Sequence, residues 1–155
     1  MRDNGWLEKQ LQYLLKKNFA DVVISNPLEI KFGREAKYRF GSIRLVKPRK
    51  LRGFRVFRKL RDLRDEKPQR SIITITSLFA KESVPVEVVH YTIAHELCHY
   101  AHGFSSANRR LFKYPHHGGI VNKELTRRGA HHLISAFKKW LKIYRAQILS
   151  GRISV

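Results

Sequence analysis

Residues 84–103 read VPVEVVHYTIAHELCHYAHG. Val88, Val89, Ile93, Ala94 and Leu97 make the stretch apolar, and their spacing is that of a helix. Ser83 or Val84 is placed to cap it, Pro85 suits its first turn, and Gly103 supplies a stop. Inside lies His95-Glu96-Leu97-Cys98-His99, the pattern HExxH. Positions i and i+4 share one helix face and stand about 6 Å apart along the axis. Two imidazoles therefore converge on one Zn2+ at about 2.0–2.1 Å each. Glu96 is turned about 100° from His95, too far to be a third ligand but near enough to a water on the ion to act as general base. A buried His and Glu need partners, and a metal supplies them.

The third ligand lies farther along the chain. His102 shares the face of His95 and His99, but three ligands spread over about 10 Å of rigid helix cannot meet one ion. His102 is read instead as the helix end, favoured there by the dipole. The extended pattern HExxHxxGxxH fails, because His102 and Ser105 stand where Gly and His are required. His116, His117 and Glu124 remain. Tyr114-Pro115-His116-His117-Gly118-Gly119 is a turn that would hold an imidazole rigidly, and Glu124 follows His117 by seven residues. Cys98 reads as a small buried packing residue, His90 as structural, and His131 and His132 as mid-helix residues. Tyr100 and Tyr114 are near enough in sequence to be considered as oxyanion donors.

Nearer the N-terminus, Leu7, Leu11, Leu14, Leu15 and Phe19 give residues 3–19 an amphipathic helix, with Asp3 or Asn4 as cap. Asn26-Pro27 breaks the chain. Residues 28–32 (LEIKF) and 37–46 (KYRFGSIRLV) alternate as strands joined by a turn at Gly33-Arg34-Glu35, and 53–58 (GFRVFR) suggests another. Residues 61–70 read as a solvated turn, and 71–76 (SIITIT) is a β-branched strand. After an irregular, polar stretch over 104–116, a last helix runs from about Gly118 towards Leu149, kinked or divided at Gly129. Helix, strands, helix, loop and helix in that order define an α+β domain. It divides into an N-terminal helix (1–24), a basic β region (28–80) and a metal-binding helical half (84–155).

The chain has 155 residues, one domain's worth, and a net charge of +20. Such a charge seeks polyanions. Residues 31–70 hold sixteen Lys and Arg against four Asp and Glu, a balance of +12. Within it, Lys47, Arg49, Lys50, Arg52, Arg55, Arg58 and Lys59 interleave with Phe54 and Phe57, a mix suited to phosphate contact and base stacking. Lys138, Lys139, Lys142 and Arg145 form a second basic stripe. One cysteine excludes a disulfide framework or a Cys-built zinc site and fits a reducing compartment. The N-terminal stretch lacks the apolar run of a secretory signal, and no segment is apolar enough to predict a membrane span. The expected location is cytoplasmic and nucleic-acid-associated.

HELCH (95–99) followed after a loop by HGGIVNKELTRRG (117–129) resembles the SprT-like zinc metalloproteases. In that family HExxH is followed by a third ligand in HGxxF or HGxxW at the start of a later helix. His117-Gly118-Gly119-Ile120-Val121 is similar, with an aliphatic residue in place of the aromatic. KYRFGSIRL (37–45) also resembles the RxRxGSC-type strand of related minimal metallopeptidases, with Ile43 replacing the Cys. The likeness covers about residues 37–133. It implies a zincin-like metallopeptidase core: an N-terminal helix, a small antiparallel or mixed sheet, the HExxH helix and a C-terminal helix. It implies His95, His99 and His117 as zinc ligands, Glu96 as catalytic base, and peptide substrates. Many members add a Cys-rich zinc ribbon, which a sequence with one cysteine cannot form. The family includes proteases that digest proteins crosslinked to DNA, which would join the basic surface to a peptidase site. DNA is the favoured nucleic acid, with RNA second. A nucleic-acid- or ribosome-binding module with a structural zinc, and a zinc-dependent nuclease, are the competing expectations.

Overall fold

The computed structural model describes residues 1–48 and 69–151. The expected strand at 53–58, and Arg49, Lys50, Arg52, Arg55, Arg58 and Lys59, lie outside the described residues. Helix α1 spans Asn4–Asn18, and Asp3 caps it by accepting the Trp6 backbone N–H at 2.7 Å. The neighbouring candidate, Asn4, ties α1 to the sheet instead, its side-chain oxygen accepting the Phe32 N–H at 2.8 Å. Leu7, Leu11 and Leu14 are the buried stripe of α1.

Among the described residues, three strands form one mixed sheet: β1 (Leu28–Phe32), β2 (Gly41–Val46) and β3 (Arg70–Ile75), in the order β1-β3-β2. β1 runs parallel to β3 and β2 antiparallel to it. The first two strands, expected to be neighbours across the Gly33 turn, are therefore separated by the third, and β2 is shorter than 37–46. Alternation identifies a half-buried strand but does not name its partner. Burial explains the order. Ser71, Ile72 and Ile73 are consecutively buried, so β3 needs cover on both faces and takes the centre. Glu29, Lys31 and Arg44 are exposed charges on the flanking strands, where edges tolerate them.

Helix α2 (Val86–Ala101) is the central helix, packing against β2, β3 and the other three helices. Val88, Val89, Ile93, Ala94 and Leu97 enter one core with Leu7, Leu11 and Leu14 of α1, Ile73 and Ile75 of β3, and the helices that follow. His102 is the C-cap of α2, as its sequence position suggests. Gly103 follows in the left-handed region (φ 81°), with Phe104 N–H donating to His99 O and Gly103 N–H to Tyr100 O, a Schellman stop. The last helical stretch is divided at Gly129 (φ 75°) into α3 (Ile120–Arg127) and α4 (His131–Leu149). His131 and His132 thus lie exposed in the first turn of α4 rather than in mid-helix. Phe40, Phe79, Phe137, Trp140 and Tyr144 stack where α4 covers the entry to β2. The α+β class with four helices and a small mixed sheet stands among the described residues. None of those helices is long and apolar enough to cross a membrane.

Candidate metal centre

His95 and His99 lie one turn apart on α2, their ring centroids 4.8 Å apart. The loop after α2 returns and brings His116 to them. Its Nε2 is 3.1 Å from His95 Nε2 and 3.0 Å from His99 Nε2. The cluster is His95, His99 and His116, with His99 buried and His116 exposed. The third histidine is thus His116 and not His117. His116 caps a single 3-10 turn that begins at His117 (His117–Gly119), so the two side chains leave the backbone in different directions and the chain turns only one ring to α2. His117 faces outward and lies parallel to the Tyr114 ring at 6.1 Å. Gly118 and Gly119, both in the left-handed region, then turn the chain into α3.

The geometry suits a cation better than a hydrogen-bonded trio. One Nε2 carries either a proton or a lone pair, so His116 Nε2 cannot make two good hydrogen bonds to two other ring nitrogens. Nitrogens about 2.0–2.1 Å from a tetrahedral ion stand about 3.3 Å apart, close to the separations found here. Burial pushes His95 down to about 4 and His99 down to about 3, helped by the neighbouring histidines. Both rings are therefore neutral at physiological pH and keep a lone pair for a metal. The three histidines lie close enough to bind a metal ion.

Glu96 sits on the same helix, 6% exposed. Burial pushes its carboxyl up to about 7, and the charge of Arg39 acts in the opposite direction. The chain entering β2 presses on it: a Cβ built on Gly41 would lie 3.0 Å from Glu96 Oε1 and 2.7 Å from Thr92 Cγ2. Arg39 and Gly41 thus flank Glu96, a role that composition and spacing do not reveal. The GS pair at 41–42 marked the stretch only by likeness.

Glu124, the other candidate ligand, is engaged elsewhere. It accepts from Arg127 and Arg128, with His102 Nε2 at 3.8 Å, and it lies outside the histidine cluster. Arg128 reaches on to Asp21 and to the Asn18 carbonyl, so this network locks α3 to the end of α1. Tyr100 is fully buried and its hydroxyl donates to Asn26 O at 2.8 Å, which removes it as an oxyanion donor. Tyr114 is exposed. Cys98 is fully buried and its thiol is pushed up to about 12 by burial, as a packing residue requires. His90 bonds Gln10 Oε1 at 2.7 Å and stacks on Tyr13, holding α2 to α1. Tyr91, which no motif or spacing singles out, places its ring 6.0 Å from His95 and donates to Asn122. Of the basic residues singled out upstream, Lys47 is described and exposed, and so are Lys138, Lys139, Lys142 and Arg145 on α4.

These features define an α+β chain with a three-histidine cluster on and beside one helix. Compared with family models, with curated proteins and with solved structures, the chain has no match.

Proposed function

We propose that this chain is a zinc-dependent metallopeptidase of SprT-like type, acting on proteins at or crosslinked to nucleic acid. The observation that carries the reading is the convergence of His95, His99 and His116 beside a buried Glu96 on the same helix. His116 takes the role that the family likeness gives to His117. Three nitrogen ligands, one of them solvent-exposed, suit a catalytic zinc, which keeps an open position, better than a closed structural one. An ion held there supplies Lewis acidity to a scissile carbonyl and to an attacking water.

The chain's own residues do the rest. Glu96 Oε1 or Oε2 takes the proton of the attacking water and delivers it to the nitrogen of the leaving amine. A carboxyl near 7 can hold and release a proton at neutral pH, which both half-steps need. Gly41 leaves room for that carboxylate, and β2 is an edge strand among the described residues, with backbone groups available to an extended peptide. The net charge of +20 favours substrates held on a polyanion.

Purified protein loaded with zinc should cleave unfolded casein, and chelation or Glu96→Gln should abolish cleavage. Unchanged cleavage by Glu96→Gln would overturn the mechanism. Casein left intact while labelled RNA or DNA is cut would favour a nuclease on the same ligands.

A further inference from the structure

The loop that delivers His116 carries a second pattern. Between Glu96 and Glu124 the sequence contains no Asp or Glu. Immediately before Pro115 and His116 stand Arg109, Arg110, Leu111, Phe112, Lys113 and Tyr114, all exposed. Leu111 is 59%, Phe112 40% and Tyr114 53% exposed. Apolar and aromatic side chains in that number, interleaved with three cations, are unusual on a solvated loop.

The backbone beneath them is held firmly. A Cβ on Gly103 would lie 2.5 Å from the Arg109 carbonyl carbon and Arg110 N, so the two limbs of the loop touch there. Leu111 N–H donates to His102 O, Ser106 Oγ donates to Tyr100 O, and Ala107 N–H donates to Asn26 Oδ1. Ser71 Oγ of β3 donates to Ser105 O at 2.6 Å. The limb of the loop up to Leu111 is thus pre-organised, and Phe112 and Tyr114 follow directly on it. Phe112 meets the edge of His102, and Tyr114 lies parallel to His117 with Lys113 over its ring.

We propose that residues 109–114 form a binding strip for single-stranded nucleic acid, contiguous with the metal site. Phe112 and Tyr114 stack unpaired bases, and Arg109, Arg110 and Lys113 contact phosphates. Unpaired bases offer π-faces to exposed rings, while a duplex hides them, so the interleaving selects single strands. Among the described residues Arg109, Arg110 and Lys113 enter no ion pair, and cations so placed select polyanion over an ordinary peptide. This inference rests on the nucleic-acid part of the proposed function and not on peptide hydrolysis.

Fluorescence anisotropy with labelled 20-nucleotide oligo-dT, oligo-U and a duplex of equal length tests it on the full zinc-loaded chain. Phe112→Ala and Tyr114→Ala should each weaken binding to the single strands about fivefold or more, with little change in salt dependence. Arg109→Ala/Arg110→Ala should flatten the salt slope by about 1.4. Lys138→Ala/Lys142→Ala on α4 should flatten it without selective loss on single strands. Circular dichroism and metal content check each variant. If Phe112→Ala disturbs the site beside His102, Tyr114→Ala and the arginine pair carry the test. Wild-type affinity in the aromatic variants, or equal and ring-independent binding of duplex, would overturn the proposal. Intact oligonucleotide binding with reduced casein cleavage would reassign the strip to peptide and also overturn it. If wild-type protein binds no oligonucleotide, the nucleic-acid part of the function falls too, while the casein assay still judges the peptidase part.

Discussion

Replacing Gly41 by alanine should disturb the contact on which the candidate site is built. The new Cβ would stand 2.7 Å from Thr92 Cγ2 and 3.0 Å from Glu96 Oε1. Carbon atoms rest at about 3.5–4.0 Å, so β2 and α2 must separate by roughly 1 Å or Thr92 must turn. Thr92 is not free to turn: its hydroxyl donates to Val88 O at 3.0 Å, and its branched Cβ restricts χ1. Overpacking of this kind costs about 1–3 kcal/mol, and the less flexible unfolded chain returns about 0.4–1 kcal/mol. The net loss of roughly 1–2 kcal/mol corresponds to a fall in Tm of about 2–8 °C for a chain of this size. Thr92→Ser removes the colliding methyl and keeps the hydroxyl. In that background Gly41→Ala should cost about 1 kcal/mol less, the tight approach to Glu96 Oε1 remaining, and that difference is the coupling read in a double-mutant cycle. Thermal melts and urea titrations of the four proteins supply the cycle. Additive effects, or a neutral Gly41→Ala in the parent, would refute the placement of β2 against the HExxH helix.

Asn26→Ala should cost about 1–3 kcal/mol in urea unfolding, because the buried Ser71 Oγ loses the Asn26 Nδ2 donor and the Ala107 N–H loses its Asn26 Oδ1 acceptor, while the Tyr100 hydroxyl keeps the Asn26 backbone carbonyl. Faster amide exchange at Ala107 and Leu111 should accompany it; unchanged exchange would contradict the anchoring of the loop. Metal-free protein should gain stability as pH rises from 4.5 to about 6.5. The unfolded chain binds protons on His95 and His99 below their ordinary value of 6.5, while the folded chain refuses them until about 4 and 3, so this stability is full above 6.5 and lost on acidification. Glu96 opposes: raised from 4.5 to about 7, it favours the fold at low pH and loses that contribution as pH rises through 7. Two protons outweigh one in this window, and urea midpoints that are flat or fall between pH 4.5 and 6.5 would contradict the burial of these rings.

Much of this was legible in the chain itself, for local reasons. The α1 stripe, the β-branched run at 71–76 and the stop at Gly103 each depend on neighbours within a few residues. HExxH declares its own geometry because one helical turn brings His95 to His99. The sheet order was not legible, since pairing depends on which strand needs cover on both faces, and that is decided by what packs above and below. The choice between His116 and His117 turned on the direction of one side chain at a glycine-rich turn, which adjacency in sequence leaves open. Glu124 looked like a ligand until the structure brought Arg127 and Arg128 to it, one of them also reaching across to Asp21 of another segment. The close approach of Gly41 to Glu96 links residues 55 positions apart and leaves no trace in periodicity.

The most direct test of the central claim is zinc stoichiometry by mass spectrometry of the wild type, His116→Ala and His117→Ala, each purified in zinc and dialysed. One zinc per chain is expected in the wild type and in His117→Ala, and loss of it in His116→Ala. Zinc retained by His116→Ala and lost from His117→Ala would contradict the three-histidine centre described here.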